Sequence, residues 1–421
     1  MEKSELALTQ AVESLQDEMV DFACRLVAQP SVLGEEDGAL EVMEQEMKSL
    51  GLEPVHAPMD SPGLAAHPGF APTPWSQQGR YSLAATRPAD GRGGKSAIFN
   101  GHLDVVSQEP LERWERDPYE PLVEGGWLHG RGAGDMKAGV AAMTYAIKAV
   151  QKAGLGLAAP VTLEGVIEEE CTGNGALACL VAGFDADAAL IPEPFGPTIL
   201  TSQVGVMWFK VSLTGVAKHT LEASSGVNAI ELCCYLMQAL RGLEARINAD
   251  KPVDFAHVAT PAQLNIGTIN SGDWPSTVPA KAEFQCRLGF FPEMSFEQAA
   301  QAVRDCLDQA AQKDAWLRDN PPEVEFYGFR SQGHRVSRDL PALSLVSQCH
   351  KDLSGQEASE YACTCTTDLR SFVVYGRAQA TCFGPVAQNI HSPNERVDIN
   401  SMIYTAKVYA LFLARWCGLV Q

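Results

Sequence analysis

Basic residues are in short supply. The 421-residue chain carries 32 Lys and Arg against 52 Asp and Glu, a formal net charge of −20 with neutral histidines. So acidic a chain repels phosphate backbones, and nucleic acid is not expected as a partner. Long apolar runs are also missing, since no stretch approaches the roughly 18–20 residues of a membrane span. Carboxylates interrupt the opening MEKSELALTQAVESLQDEMV where a secretion signal would have its apolar centre. The expectation is a soluble, cytoplasmic protein with no membrane partner. The 12 cysteines lack regular spacing, which argues for reduced thiols rather than a disulfide framework. The one close pair, Cys363 and Cys365, has no second pair to complete a zinc knuckle. Neither GxGxxG nor GxxxxGK[ST] occurs, so the glycine-rich Gly130–Gly134 turn is not a nucleotide cradle.

What is present is an ordinary globular composition, 46% hydrophobic and 20% charged, long enough for two or three domains at about 100–200 residues each. Apolar residues at three- and four-residue spacing (Val12, Leu15, Met19, Phe22, Leu26) predict one helix over 4–29, and a second is expected over 38–50. Residues 54–95, rich in Pro, Gly, Ala and Ser, read as a long surface excursion with at most short strands. Strands are then expected at 96–100, 160–167, 188–191 and 379–383, alternating with helices at 136–153, 172–183 and 399–416. That alternation predicts an α/β domain whose sheet is flanked by helices. Between its halves, strands at 205–215, 263–269, 280–290 and 324–327 with helices at 226–243 and 295–314 form a small α+β unit. The expected division is 1–204 and 328–421 for the larger domain and 205–327 for the insertion.

Polar residues gather just after the predicted strands, outside whose carboxyl ends open α/β sheets bind ligands. His102 and Asp104 lie two apart at a strand end, where an Asp can orient a metal-binding imidazole. Asp135 follows three glycines, Glu168-Glu169-Glu170 and Glu193 follow strands, and His391 lies in a loop after Gly384-Pro385. Each alone also describes an ordinary turn, helix cap or surface loop. Together, two imidazoles and several carboxylates at one sheet edge suit a borderline cation such as Zn²⁺. Five protein ligands are too many for one catalytic zinc and suit two ions sharing a bridging Asp.

In order along the chain, GHLDVV (101–106), GRGAGDMKAG (130–139), EEECTGNGA (168–176), PEP (192–194) and GP followed by IHSPNERV (384–397) resemble the M20 co-catalytic zinc hydrolases. That family includes acetylornithine deacetylase, succinyl-diaminopimelate desuccinylase, aminoacylase and glutamate carboxypeptidase. The resemblance implies a catalytic α/β domain with a mixed sheet, interrupted by a lid and dimerisation domain. It further implies a homodimer and two Zn²⁺ per chain, with Co²⁺ or Mn²⁺ as substitutes. His102 and Glu193 would hold one ion, Glu170 and His391 the other, and Asp135 would bridge them. Glu169 would be the general base, with Asp104 orienting His102. His219, in a Gly-x-x-x-His stretch, would reach the partner subunit's site and steady the oxyanion, and Arg287 would bind a substrate carboxylate.

The chain also departs from the family pattern. Glu168 stands where the family usually has Asp, and Ser276 near the position of a lid Asn. Asp273-Trp274-Pro275 resembles a deacetylase-like branch, as does Thr366-Thr367-Asp368-Leu369-Arg370, to which no role is assigned. The expected activity is removal of an acetyl, formyl or succinyl group from an amino acid or related amine. A dipeptidase or carboxypeptidase on the same scaffold, a formyl-aminopyrimidine deformylase and a non-catalytic metal-binding protein are the alternatives.

Overall fold

The structure is a computed structural model that describes residues 1–420. Its larger body is built on a six-stranded mixed sheet in the order Val55–Pro58, Tyr81–Arg87, Val161–Val166, Ala97–His102, Ala188–Ile191, Gln379–Cys382. The last four strands pair in parallel, and the first three pair antiparallel. Ala97–His102 and Val161–Val166 are buried along their whole length, as a sheet covered on both faces requires. Helices Ala138–Lys152 and Ile399–Trp416 pack on each other, with Lys3–Ser14 and Gln16–Val27 against them. Asp398 starts the closing helix by accepting from the Ser401 N–H at 2.7 Å. One hydrophobic core runs through residues 8–200 and 342–417.

A four-stranded antiparallel sheet, in the order Leu264–Ser271, Lys281–Phe290, Gly205–Thr214, Glu323–Ser331, carries helices Ala229–Ile247 and Phe296–Ala311 and its own core, including Met207, Phe209, Phe284 and Val303. Strand alternation decides its two faces. Met207, Phe209 and Val211 are buried in that core, whereas Trp208, Lys210 and Ser212 on the opposite face are only half-buried. No helix among the described residues is long and apolar enough to cross a membrane.

Two expectations change. The first helix is two, Lys3–Ser14 and Gln16–Val27, because the chain leaves helical geometry at Leu15 while the Ser14 hydroxyl donates to the Ala11 carbonyl at 2.8 Å. The stretch 54–95 is more than a surface excursion, since it contributes two strands to the main sheet and buries Ser82, Leu83, Ala84 and Ala85.

In the sheet centre Asn100 lies in parallel register with Glu164, and its side-chain amide donates to Glu164 Oε2 at 2.9 Å. Asn100 Oδ1 and Glu164 Oε1 are both buried without a partner. Burial therefore pushes the Glu164 carboxyl up to about 8, with the Asn100 hydrogen bond opposing. The folded state holds this proton more tightly than the unfolded chain, so the stability it contributes is complete below the ordinary value of 4.5 and is lost as pH rises through about 8. Glu164→Gln, which stays neutral, should melt with a shallower decline between pH 5 and 9 than the wild type. Parallel declines in a calorimetric pH series would show that Glu164 is not the group responsible.

Candidate metal centre

His102 ends its strand and Asp135 follows the glycine-rich turn. That turn depends on Gly132, whose φ is +76° and where an added Cβ would stand 2.5 Å from Val105 Cγ1, leaving no room for a side chain. His102 Nε2 lies 3.1 Å from Asp135 Oδ1, and His391 Nε2 lies 3.3 Å from Asp135 Oδ2. His391 Nε2 is also 2.9 Å from Glu170 Oε1. One ligand atom each from His102, Asp135 and Glu170 falls within 4.8 Å of the others. Glu169 and Glu193 line the same cavity, of about 510 Å³, together with Asp135, Glu170 and His391.

The carboxylates are crowded in a dry place. Burial holds Glu169 and Glu193 well above the usual carboxylate range and lifts Asp104 to about 7 against the pull of His102. Burial acts the same way on Asp135, but hydrogen bonds from His102 and His391 outweigh it and hold that carboxyl low. The charge of Glu170 raises His391 to about 11, and burial, which would lower His102, is outweighed by its hydrogen bond to Asp135, which lifts it above the usual imidazole range. Acidic groups packed this closely are short of positive charge. The donor set, two imidazoles and several carboxylates with one Asp whose oxygens face two sides, fits a pair of divalent cations of the Zn²⁺ kind.

Other side chains hold these residues in place, and of them Glu395 is the one the sequence alone does not point to. Glu395 is buried 260 residues from Asp135; its Oε1 accepts from the N–H groups of Gly134 at 2.9 Å and Asp135 at 3.0 Å. Its Oε2 accepts from Gly132 N–H at 3.0 Å and Arg131 Nη1 at 2.5 Å. Its one signal is its place four residues after His391, in the IHSPNERV stretch. Asp104 is placed differently from expectation. His102 Nδ1 lies 2.9 Å from the Asp104 carbonyl and 3.7 Å from its carboxylate. That carboxylate accepts instead from the N–H groups of Glu169 at 3.2 Å and Glu170 at 3.1 Å. Glu168 does not face the cavity. Its φ is +63°, and its buried carboxylate accepts from Trp75 at 2.8 Å, Gln77 at 2.7 Å, Thr172 at 2.7 Å and Arg80. The excursion thus braces the acidic turn from behind, and its Pro72 carbonyl also accepts from Gly328 N–H on the small sheet at 2.8 Å.

The small sheet roofs the cavity. Arg287 points into it, its Nη2 donating to the Thr364 carbonyl at 3.1 Å. His219 is not brought to the cavity of its own chain. It is exposed on the small domain, where Nδ1 accepts from Leu221 N–H at 3.1 Å.

Residues 98–415 match the model of peptidase family M20/M25/M40. The chain belongs to this family. It is 26% identical over 346 residues to N-formyl-4-amino-5-aminomethyl-2-methylpyrimidine deformylase of Halalkalibacterium halodurans, covering 77% of this chain and 80% of the relative. It is also 26% identical over 421 residues to succinyl-diaminopimelate desuccinylase of a Polaromonas species, covering 94% and 93%. The fold superposes on the dipeptidase Dug1p of Saccharomyces cerevisiae with a TM-score of 0.80 at 14% identity, covering 99% of each chain. The mixed α/β architecture expected from the sequence is that of the family, and the chain is a metallohydrolase acting on amide bonds.

Glu395→Gln keeps the size of the buried side chain but turns part of the acceptor that grips the glycine-rich turn into a donor. Zinc affinity, measured by competition with a chromophoric chelator, should fall about 10–100-fold, with turnover largely recovered at saturating zinc. Unchanged affinity would mean that the turn is held by other contacts.

Proposed function

We propose that the chain is a dinuclear zinc-dependent amidohydrolase that removes an acetyl, formyl or succinyl group from an amino acid or related amine. The observation that carries this reading is the division of Asp135 between His102 and His391, one oxygen to each. In it His102 and Glu193 would hold one ion, Glu170 and His391 the other, with Asp135 shared; Co²⁺ or Mn²⁺ would be tolerated. Ions held by these residues would lower the pKa of a bound water and polarise an acyl carbonyl. Glu169 is the general base. It lines the cavity beside the ligands, and burial makes it a willing proton acceptor. It takes the water proton as the acyl carbon is attacked and returns it to the departing amine.

Arg287 supports a substrate carrying a carboxylate. Among the described residues it is the one guanidinium lining the cavity, and it spends one N–H group on Thr364 while offering the rest of a planar fork to an anion. This weighs against a formylated aminopyrimidine, which brings no carboxylate to Arg287, although the deformylase relatives keep that reading in view. A dipeptide would satisfy Arg287 equally well. We further read the chain as cytoplasmic and homodimeric through the small domain, with His219 delivered to the partner's oxyanion. Supporting the dimer, Leu264–Ser271 is an edge strand of the small sheet, and Leu221, Trp274 and Ile269 are exposed on the same domain.

The zinc-loaded protein should release amine from one or more members of a panel of N-acetyl, N-formyl and N-succinyl amino acids faster than from dipeptides; faster dipeptide cleavage would transfer the assignment to a peptidase. Glu169→Gln should retain both ions by elemental analysis and lose about 10²–10⁴ in kcat, and full activity would remove the assigned base. For His219, mixing Glu169→Gln with His219→Ala and allowing subunit exchange should restore activity in heterodimers. Failure to regain any, with exchange verified by mass spectrometry, would rule out delivery across an interface.

A further inference from the structure

Resting on the amide-hydrolase reading, we propose that the cavity roof selects substrates bearing an aryl group next to the carboxylate that Arg287 receives. The small sheet presents one row of side chains to the cavity. Asn265 pairs in register with Arg287, Arg287 with Trp208, and Trp208 with Tyr327, and all four line the cavity. An amide, a guanidinium, an indole and a phenol thus stand side by side at the spacing of neighbouring strands, about 4.8 Å. An amino acid with an aryl side chain separates its carboxylate from its ring by a similar distance, so both groups meet the row at once.

The aromatic end of the row is held rigidly. Tyr327 donates its hydroxyl hydrogen to Gln285 Oε1 at 2.6 Å. Trp208 is met edge-on by Tyr327, with ring centroids 6.0 Å apart and planes at 62°, and by Phe329, at 5.2 Å and 89°. Trp208 remains half-buried, its contact with solvent on the cavity side of the sheet. Phe195, two residues after Glu193, lines the opposite, catalytic-domain side. A planar ring entering this space gains edge-to-face and stacking contacts beyond its buried area, which an aliphatic side chain does not. The guanidinium beside the indole attracts an acid, so a ring seated on Trp208 whose molecule also places a carboxylate on Arg287 is that of an aryl amino acid.

Binding and turnover separate this proposal from the reading beneath it. Zinc-loaded Glu169→Gln, titrated calorimetrically with N-acetyl-L-phenylalanine and N-acetyl-L-alanine, should bind the first at least about ten-fold tighter. Adding Trp208→Ala should erase that preference, whereas Trp208→Phe should keep most of it. A wild-type-roof preference below about three-fold, or no binding of either compound, overturns the proposal without any roof variant having to fold. A preference untouched by Trp208→Ala overturns it as well. Selective binding by Glu169→Gln without hydrolysis of any N-acyl amino acid by the wild type would leave the aromatic roof standing and remove the hydrolase reading; hydrolysis without aryl preference would do the reverse.

Discussion

Asp135 shares its two oxygens between histidines that come from residues 102 and 391, and the surrounding architecture serves to keep that carboxylate where both can meet it. The constraint is electrostatic. Several carboxylates crowd beside two imidazoles, where like charges repel strongly; burial makes Glu169, Glu193 and Asp104 resist ionisation, while hydrogen bonds from His102 and His391 hold Asp135 low. Such a cluster persists only if the backbone that carries it is held from outside, and the structure supplies that hold with further buried acids. Glu395 grips the turn before Asp135, Asp104 grips the turn of Glu169 and Glu170, and Glu168 is gripped in return by four donors.

This gives the acidic residues two classes of work. Glu395, Asp104 and Glu168 satisfy N–H and O–H donors around the turns; Asp135, Glu169, Glu170 and Glu193 face the cavity. Carboxylates of the first class do structurally what a metal ligand's outer hydrogen bonds do in general, fixing direction so that the inner group has little freedom to lose on binding.

Much of this was legible in the sequence because the strands that lead to the site are short, apolar and bounded by turn residues. Ala188–Ile191 and Ile399–Trp416 fall where their patterns place them, and the ligand candidates sit at the ends of such strands. What stayed hidden had physical reasons. In Tyr81–Arg87 the buried residues are Ser82, Leu83, Ala84 and Ala85, none of them β-branched, and the stretch lies amid Pro and Gly, so the strand lacks its usual signature. Glu395 beside Arg396 has the look of a solvated charge pair, and only the return of the chain after 260 residues gives it four N–H partners. Asp104 was visible as a partner of His102, yet its carboxylate turns toward a segment 65 residues later. Local pattern reports periodicity; it does not report which distant amides a side chain will find.

The proline-rich loop is fastened at both ends of the machinery. Trp75, Gln77 and Arg80 clasp Glu168, while the carbonyl of Pro72 is hydrogen-bonded to Gly328 between Tyr327 and Phe329. A swing of the small sheet away from the acidic turn must therefore either break that hydrogen bond or tug on the clasp. The opening between the two bodies and the placement of the acidic turn beside Glu169 are in this way mechanically joined through one short stretch of chain.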